Sequence, residues 1–265
     1  AFGPEHLNVA AFLFPLAKND VALGRYAEAE PLYKRALEIN KKTMGKDNCF
    51  EARILDELAG ICATQGQYAE AEQLYKRVLE LCEKFRGDPN LPRVGPCLTK
   101  LAGIYAAQRR YSEAEPLLKR ALAICEKAHN DPYYPHVGTS LKNLAGVYYA
   151  QGKYDEAKPL YERALAICEK SHADPYHPHV AVSLNHVAGI YRAQEKYAEA
   201  EALYKRALEI RECAFGTNDQ LVAQSLGNLI SLYLKTERFD EIEPLEQQAA
   251  SFRTQLNEEK TGGAR

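Results

Sequence analysis

The apolar positions of the chain fall into one phrase that returns six times. Aligned on QGQYAEAEQLYKRVLEL, an aromatic residue stands at Tyr26, Tyr68, Tyr111, Tyr154, Tyr197 and Phe239. The intervals between them are 42, 43, 43, 43 and 42 residues. Three residues further on comes a small side chain, at Ala29, Ala71, Ala114, Ala157 and Ala200, and Ile242 breaks the series. A second small column holds Ala36, Ala121, Ala164 and Ala207, with Val78 in the second copy. Matches at fixed spacing over the whole chain mean internal repeats, and the period has to be read before anything else.

Each repeat resolves into two helices. In the clearest copy, Leu141, Leu144, Ala145 and Tyr148 share one helical face, which predicts a first helix over residues 137–151. Gly152, like Gly24 and Gly66, ends that helix, because glycine adopts positive φ without penalty. A second helix is predicted from about residue 155 to 170, with Ala157, Leu160, Tyr161, Ala164, Leu165 and Ile167 as its apolar residues. Pro159 falls in or just beyond its first turn, where a missing N–H costs least, and Pro31, Pro116 and Pro244 stand in the same place. One hairpin cannot bury its own apolar face, whereas stacked hairpins share a continuous core. Small residues bring the two helices of a hairpin close, and the tyrosine rings fill the space between neighbours. The expected fold is all-α, a right-handed superhelical solenoid of stacked antiparallel helix pairs. Its six hairpins would lie near residues 6–44, 49–87, 92–130, 135–173, 178–216 and 220–257, in one domain over 1–257.

These small and aromatic columns resemble the tetratricopeptide repeat. The longer period and the phrase LKNLAGVYYAQGKYDEAKPLYERALAI resemble the 42-residue form found in kinesin light chains and related proteins. AFGPEHLNVA at residues 1–10 is similar to the linker between units of that family, and FGTNDQLVAQS from Phe215 resembles it more loosely. A chain opening on a linker is expected to be a fragment of a longer protein, with an incompletely capped first hairpin through which two copies could pair. ERFDEIEPLEQQAASFRTQLNEEK reads as a polar cap, and 258–265 as a disordered tail.

Charge and composition narrow the function classes. Lys plus Arg number 34 against 36 Asp plus Glu, a formal net charge of -2, which argues against nucleic acid as the main partner. No apolar run reaches the length that spans a bilayer, and no signal segment opens the chain. Seven cysteines suit neither a disulfide framework nor a chain of this size, so a reducing, cytoplasmic setting is expected. Cys82, Cys125 and Cys168 form a column at the ends of second helices. Consecutive copies lie a helix-packing distance of about 8–10 Å apart, too far for a disulfide, so they read as buried small hydrophobes.

His172, His177, His179 and His186 gather near Asp174 and Tyr176, which raises the question of a metal site. None of the familiar ligand spacings is present. Turn, cap and dipole chemistry accounts for the residues one by one: Asp131 and Asp174 precede prolines, and His129 and His172 sit near helix C-termini. The preceding copy keeps the frame with Tyr134 in place of His177. The cluster therefore reads as a joint between hairpins, and no metal or other cofactor is expected. Nothing pairs a nucleophile with a base. The EAE glutamates repeat with the period and read as a solvated helix face near a helix N-terminus. No enzymatic activity is expected.

In such a stack the first helices line the concave wall. The column before the core leucine reads Pro15, Glu57, Lys100, Asn143, His186 and Asn228, and the column before that Phe14, Asp56, Thr99, Lys142, Asn185 and Gly227. Glycines recur at Gly60, Gly103, Gly146 and Gly189, where either groove width or close helix packing would call for them. Near the helix ends stand Tyr149 and Arg192, then Lys235. The resemblance implies that asparagines and basic residues of these helices hold a partner peptide. Here Asn143, Asn185 and Asn228 match the family's asparagines, whereas Pro15, Glu57, Lys100, Lys142 and His186 depart from them. The candidate peptide-binding residues are Lys100, Lys142, Asn143, Tyr149, Asn185, His186, Arg192, Asn228 and Lys235. The expected partner is an extended acidic segment of another protein held in the groove. The alternative is a spacer or self-association module without a groove ligand.

Overall fold

A computed structural model describes residues 6–85, 94–128, 135–171, 176–216 and 219–250. The described residues form eleven α-helices and no strand. These are α1 (Leu7–Ala22), α2 (Tyr26–Thr43), α3 (Cys49–Thr64), α4 (Tyr68–Lys84), α5 (Val94–Ala107), α6 (Tyr111–Ala128), α7 (Pro135–Ala150), α8 (Tyr154–Ser171), α9 (Pro178–Ala193), α10 (Tyr197–Phe215) and α11 (Gln220–Lys235). A short 3-10 turn at Phe239–Glu241 leads into a further helical segment at 242–250. The helices group into two compact units, residues 1–125 and 126–265. In the first, α1 packs on α2 and α3 on α4. In the second, α7 packs on α8 and α9 on α10. His129, Asp131, Tyr134, His172, Asp174 and the tail fall outside the described residues.

Every hairpin turn is closed by the same pair of backbone bonds. Lys153 N–H donates to Tyr148 O at 2.9 Å while Gly152 N–H donates to Tyr149 O at 3.0 Å. This crossed pair satisfies carbonyls that a helix end leaves unpaired, and it needs positive φ at the residue after the helix. Gly24, Gly66 and Gly152 supply it at φ 74°, 77° and 75°. Arg109, Glu195 and Glu237 occupy the same position at φ 60°, 60° and 57°, although they carry a Cβ. The turn is thus set by the period, and glycine is the unstrained way to fill it.

The second helices bury one stripe of the same make-up. In α8 it is Ala157, Tyr161, Ala164, Ile167 and Cys168, and in α10 it is Ala200, Tyr204, Ala207, Ile210 and Arg211. The alanines are fully buried, which is how the paired helix comes close. The tyrosines Tyr33, Tyr75, Tyr161 and Tyr204 are buried too, and Leu118 takes the place in α6. Pro31, Pro116 and Pro159 lie at the sixth residue of their helices, one turn deeper than an N-terminal proline needs to be. Each therefore costs an intrahelical bond as well as a donor.

The EAE glutamates divide into two kinds. Of the first glutamates, Glu28 and Glu113 hold the arginine three residues earlier, Arg25 and Arg110. Of the second, Glu30 and Glu115 pair within their own helix with Lys34 and Lys119, whereas Glu72 and Glu201 reach across to the next hairpin. Glu72 on α4 binds Arg110 at 2.6 Å and Lys76 at 2.7 Å, and Tyr105 donates to it at 3.3 Å. Glu201 repeats this in the second unit with Arg238, Lys205 and the Tyr233 hydroxyl. Both guanidiniums also lie 4.4 Å over the rings of those tyrosines. A solvated face was expected here, but the stagger between hairpins brings an arginine of the next turn against this carboxylate.

Two outcomes follow from this packing. Arg109 and Glu195 are exposed, so Arg109→Gly and Glu195→Gly should each raise stability by about 0.5–1 kcal/mol, the relief of a left-handed Cβ less the entropy glycine adds to the unfolded chain. Urea denaturation of the variants measures this. Arg238, aided by Lys205 and Tyr233, holds the Glu201 carboxyl down at about 2 against the outward push of burial. A depressed carboxyl stabilises above its unfolded value near 4.5 and loses that contribution as pH falls toward 2. Melting curves between pH 5 and 2 should therefore fall less steeply for Glu201→Gln than for the parent chain.

Candidate functional site

In the second unit, α7 to α11 enclose a concave pocket of about 410 Å³. Tyr149 of α7 and Tyr161 of α8 line one part of it, and Asn185, His186, Gly189 and Arg192 of α9 another. Tyr204 and Arg211 of α10, with Gln224 and Asn228 of α11, complete the polar lining. The helix period explains the α9 set: residues 185, 186, 189 and 192 recur at three and four, on the face opposite the buried Leu184, Val187 and Ala188.

The tyrosines of the buried stripe shape this pocket. A Cβ placed on Gly60, Gly146 or Gly189 would lie 3.7, 3.5 and 3.8 Å from the hydroxyl of Tyr75, Tyr161 and Tyr204. Those are ordinary contacts, so an alanine would fit. A Cβ on Gly103, in the copy with Leu118, would meet nothing within 4 Å. Close helix packing does not require this glycine column. At Gly189 the hydroxyls of Tyr149 and Tyr204 both come within 3.8 Å of that missing Cβ. Gly138 is different, since its Cβ would sit 3.1 Å from Ile167 Cγ2.

His186 lies flat on Tyr161, with ring centroids 4.8 Å apart and planes 5° from parallel. Its Nδ1 is buried and has no hydrogen-bond partner. Burial, then the nearby Lys142 and Arg211 charges, push its pKa down to about 4, so the ring is neutral at pH 7. Asn228 Nδ2 donates to Asn185 Oδ1 at 3.4 Å, linking α11 to α9. Arg192 donates to Ser231 Oγ at 2.8 Å. Arg211, although only 4% exposed, has no carboxylate within 4 Å among the described residues. Its Nη1 donates to Leu221 O, Ser225 Oγ and Gln224 Oε1 at 2.6, 2.9 and 3.2 Å. Burial presses its pKa downward, offset in part by Asp219.

The nine residues singled out from sequence are distributed unevenly. Tyr149, Asn185, His186, Arg192 and Asn228 meet at the pocket. Lys142 acts there through its charge on His186. Asn143 is half-buried beside it on α7, and Lys235 is exposed at the end of α11. Lys100 belongs to the first unit, where both Asp56 oxygens hold its Nζ at 2.7 Å. Its charge is neutralised at home, because the residue one period and one step earlier in the chain is an aspartate. Of the histidine cluster, His177 and His179 stay together with ring centroids 5.2 Å apart, while His186 lines the pocket. His177 caps α9, its Nδ1 accepting from His179 N–H at 3.3 Å, as His6 and Asp219 cap α1 and α11. Arg211 was not foreseen, yet it occupies the cysteine column one period after Cys168. That break in a column was its signal.

The tetratricopeptide repeat model matches residues 8–84, 50–127, 96–170 and 179–255, so the chain belongs to the tetratricopeptide-repeat family. Among solved structures it is similar to the nearly identical TPR-like repeats of a Podosopora anserina protein assigned as a kinesin light chain. That match has 26% identity, covers 79% of this chain and 98% of the other, and gives a TM-score of 0.66. BtubC (BKLC) from P. vanneervenii matches at 21% identity over 91% and 92% of the two chains, TM-score 0.68. Pseudomonas aeruginosa pilF matches at 21% identity over 96% and 93%, TM-score 0.57. No curated protein gives a significant match. The repeats are of the kinesin light chain type, and the fold is that of a protein–protein interaction scaffold. Among the described residues no helix is long and apolar enough to cross a membrane.

The glycines offer a direct check on this geometry. Gly189→Ala should keep or raise stability, by up to about 1 kcal/mol from helix propensity, while Gly138→Ala should lower it by about 1 kcal/mol through overpacking against Ile167. Chemical denaturation of the two variants in parallel reads the contrast.

Proposed function

We propose that the chain is a non-enzymatic scaffold that binds an extended acidic segment of a partner protein, with the face formed by α7, α9 and α11 as the contact surface in the second unit. The observation that carries this reading is the charge at the pocket. Arg163, Arg206 and Arg238 of this unit are all matched by glutamates of the chain. Arg192 and Arg211 at the pocket have no carboxylate within 4 Å among the described residues, and an acidic partner would supply what they lack. Asn143, Asn185 and Asn228 each carry both a donor and an acceptor, the pairing that an extended backbone presents. Charge complementarity then sets association rate and selectivity more than raw affinity. In the first unit the Lys100–Asp56 pair leaves little net attraction for acidic groups, so binding would centre on the second.

Titration calorimetry against a degenerate acidic peptide pool tests the reading. The double variant Lys142→Glu, Arg192→Glu should weaken binding tenfold or more, and binding to the parent chain should weaken as salt screens the charges. Unchanged affinity in the double variant would move the contact surface elsewhere and favour a spacer without a groove ligand.

A further inference from the structure

The pocket carries more charge than a single carboxylate would neutralise, and the way its arginines are held bears on what fills it. Arg211 stands where three earlier repeats have or allow a small apolar side chain: Val78 is followed by Cys82, Ala121 by Cys125 and Ala164 by Cys168. A guanidinium in that stripe must leave water, which costs several kcal/mol unless it is matched. Its Nη1 is satisfied by three oxygens from the start of α11, all of them neutral. Nη2 and Nε make no hydrogen bond to a described residue. Arg192 has its single described bond to a serine hydroxyl, also neutral. The pocket thus joins two guanidiniums with unused donors and no carboxylate within 4 Å of either among the described residues, Asp219 acting on Arg211 only from further off.

His186 adds a third donor. Its Nδ1 is sealed without a partner, whereas Nε2 is the ring nitrogen left with access to the pocket. Leaving the sealed nitrogen bare places the proton of the neutral ring on Nε2, as a donor. The groups facing this ring are Lys142 from α7, Tyr161 from α8 beneath it, and Arg211 from α10, with Tyr149 and Tyr204 around the same cavity. None of them is an acid at neutral pH.

Resting on the peptide-binding reading above, we propose that this pocket receives a phosphorylated side chain of the bound segment, its phosphoryl oxygens held by Arg192, Arg211 and the Nε2–H of His186. A phosphoryl group carries about -1.5 to -2 charges near pH 7 and three acceptor oxygens, which matches two guanidiniums and an imidazole N–H. A carboxylate brings one charge and leaves one guanidinium without a counter-charge. Planar guanidiniums also bind phosphoryl oxygens in pairs, which lysine cannot do. The same phosphoryl group, singly charged at the pH where this ring titrates, would draw a proton onto His186, so filling the pocket raises the pH at which that ring titrates.

The test uses two degenerate acidic peptide pools, identical except that the central serine is phosphorylated in one. Fluorescence anisotropy should show the phosphorylated pool binding at least tenfold tighter at pH 7. Arg211→Gln and Arg192→Gln should each weaken the phosphorylated pool much more than the unphosphorylated one, bringing the ratio between the two pools below about threefold, with thermal melts confirming that each variant is folded. Arg192 is half-exposed, so its variant stands even if Arg211→Gln unfolds. In NMR, 20 mM inorganic phosphate should raise the His186 ring titration by a unit or more from about 4. Equal binding of the two pools, or a pool with glutamate at the centre matching the phosphorylated one, overturns this proposal and leaves the acidic-segment reading intact. If neither pool binds, both fall.

Discussion

A tyrosine ring standing on the second helix of four of the hairpins organises both the fold and the pocket. Tyr33, Tyr75, Tyr161 and Tyr204 are almost wholly buried, four residues after one fully buried alanine and three before a small residue. Those small neighbours let the paired helix approach, and the ring then has to reach past it. Burying such a ring contributes several kcal/mol, and truncating one to alanine costs about 3–5 kcal/mol by analogy with other large aromatic residues. The hydroxyl tips of Tyr75, Tyr161 and Tyr204 come beside the glycine column of the first helices, whereas that of Tyr33 stays buried without a partner. In the second unit Tyr161 and Tyr204 line the pocket. The pocket floor in the second unit is therefore made of core residues seen from outside.

That arrangement explains why His186 behaves as it does. The copies on either side of it carry Asn143 and Asn228 at this place, which can hydrogen-bond in any environment. A histidine at that place lies against the Tyr161 ring at 4.8 Å and loses water over most of its surface. With Lys142 and Arg211 close by, protonation is disfavoured twice, once by burial and once by like charge. The ring is a neutral hydrogen-bonding group in a positive surround. His177, in the turn before the same helix, caps α9.

Much of this was legible in the chain because repetition multiplies every signal. Six copies of one phrase gave the helix pairs and the place of each turn. α7 and α8 begin at Pro135 and Tyr154, one or two residues ahead of the reading from apolar spacing. What periodicity does not supply is the offset between neighbouring hairpins. That offset pairs Lys100 with Asp56 and Glu72 with Arg110, 44 and 38 residues apart. It turns an apparent groove lysine into half of an internal ion pair, and an apparent surface glutamate into a clasp. Breaks in a column carry the complementary information. Arg211 after three cysteines, and His186 between two asparagines, mark the place where this copy departs from its own consensus. Both departures face one cavity.

The claim at the centre of this account is that the face of α7, α9 and α11 is where a partner segment binds. Backbone amide shifts of the labelled chain, recorded while an acidic peptide pool is added, test it most directly. The account predicts that the largest changes fall on residues 182–192, 211 and 221–228, with the Tyr149 region moving alongside them. Changes confined to the exposed ends of the second helices, with that face unmoved, would contradict it.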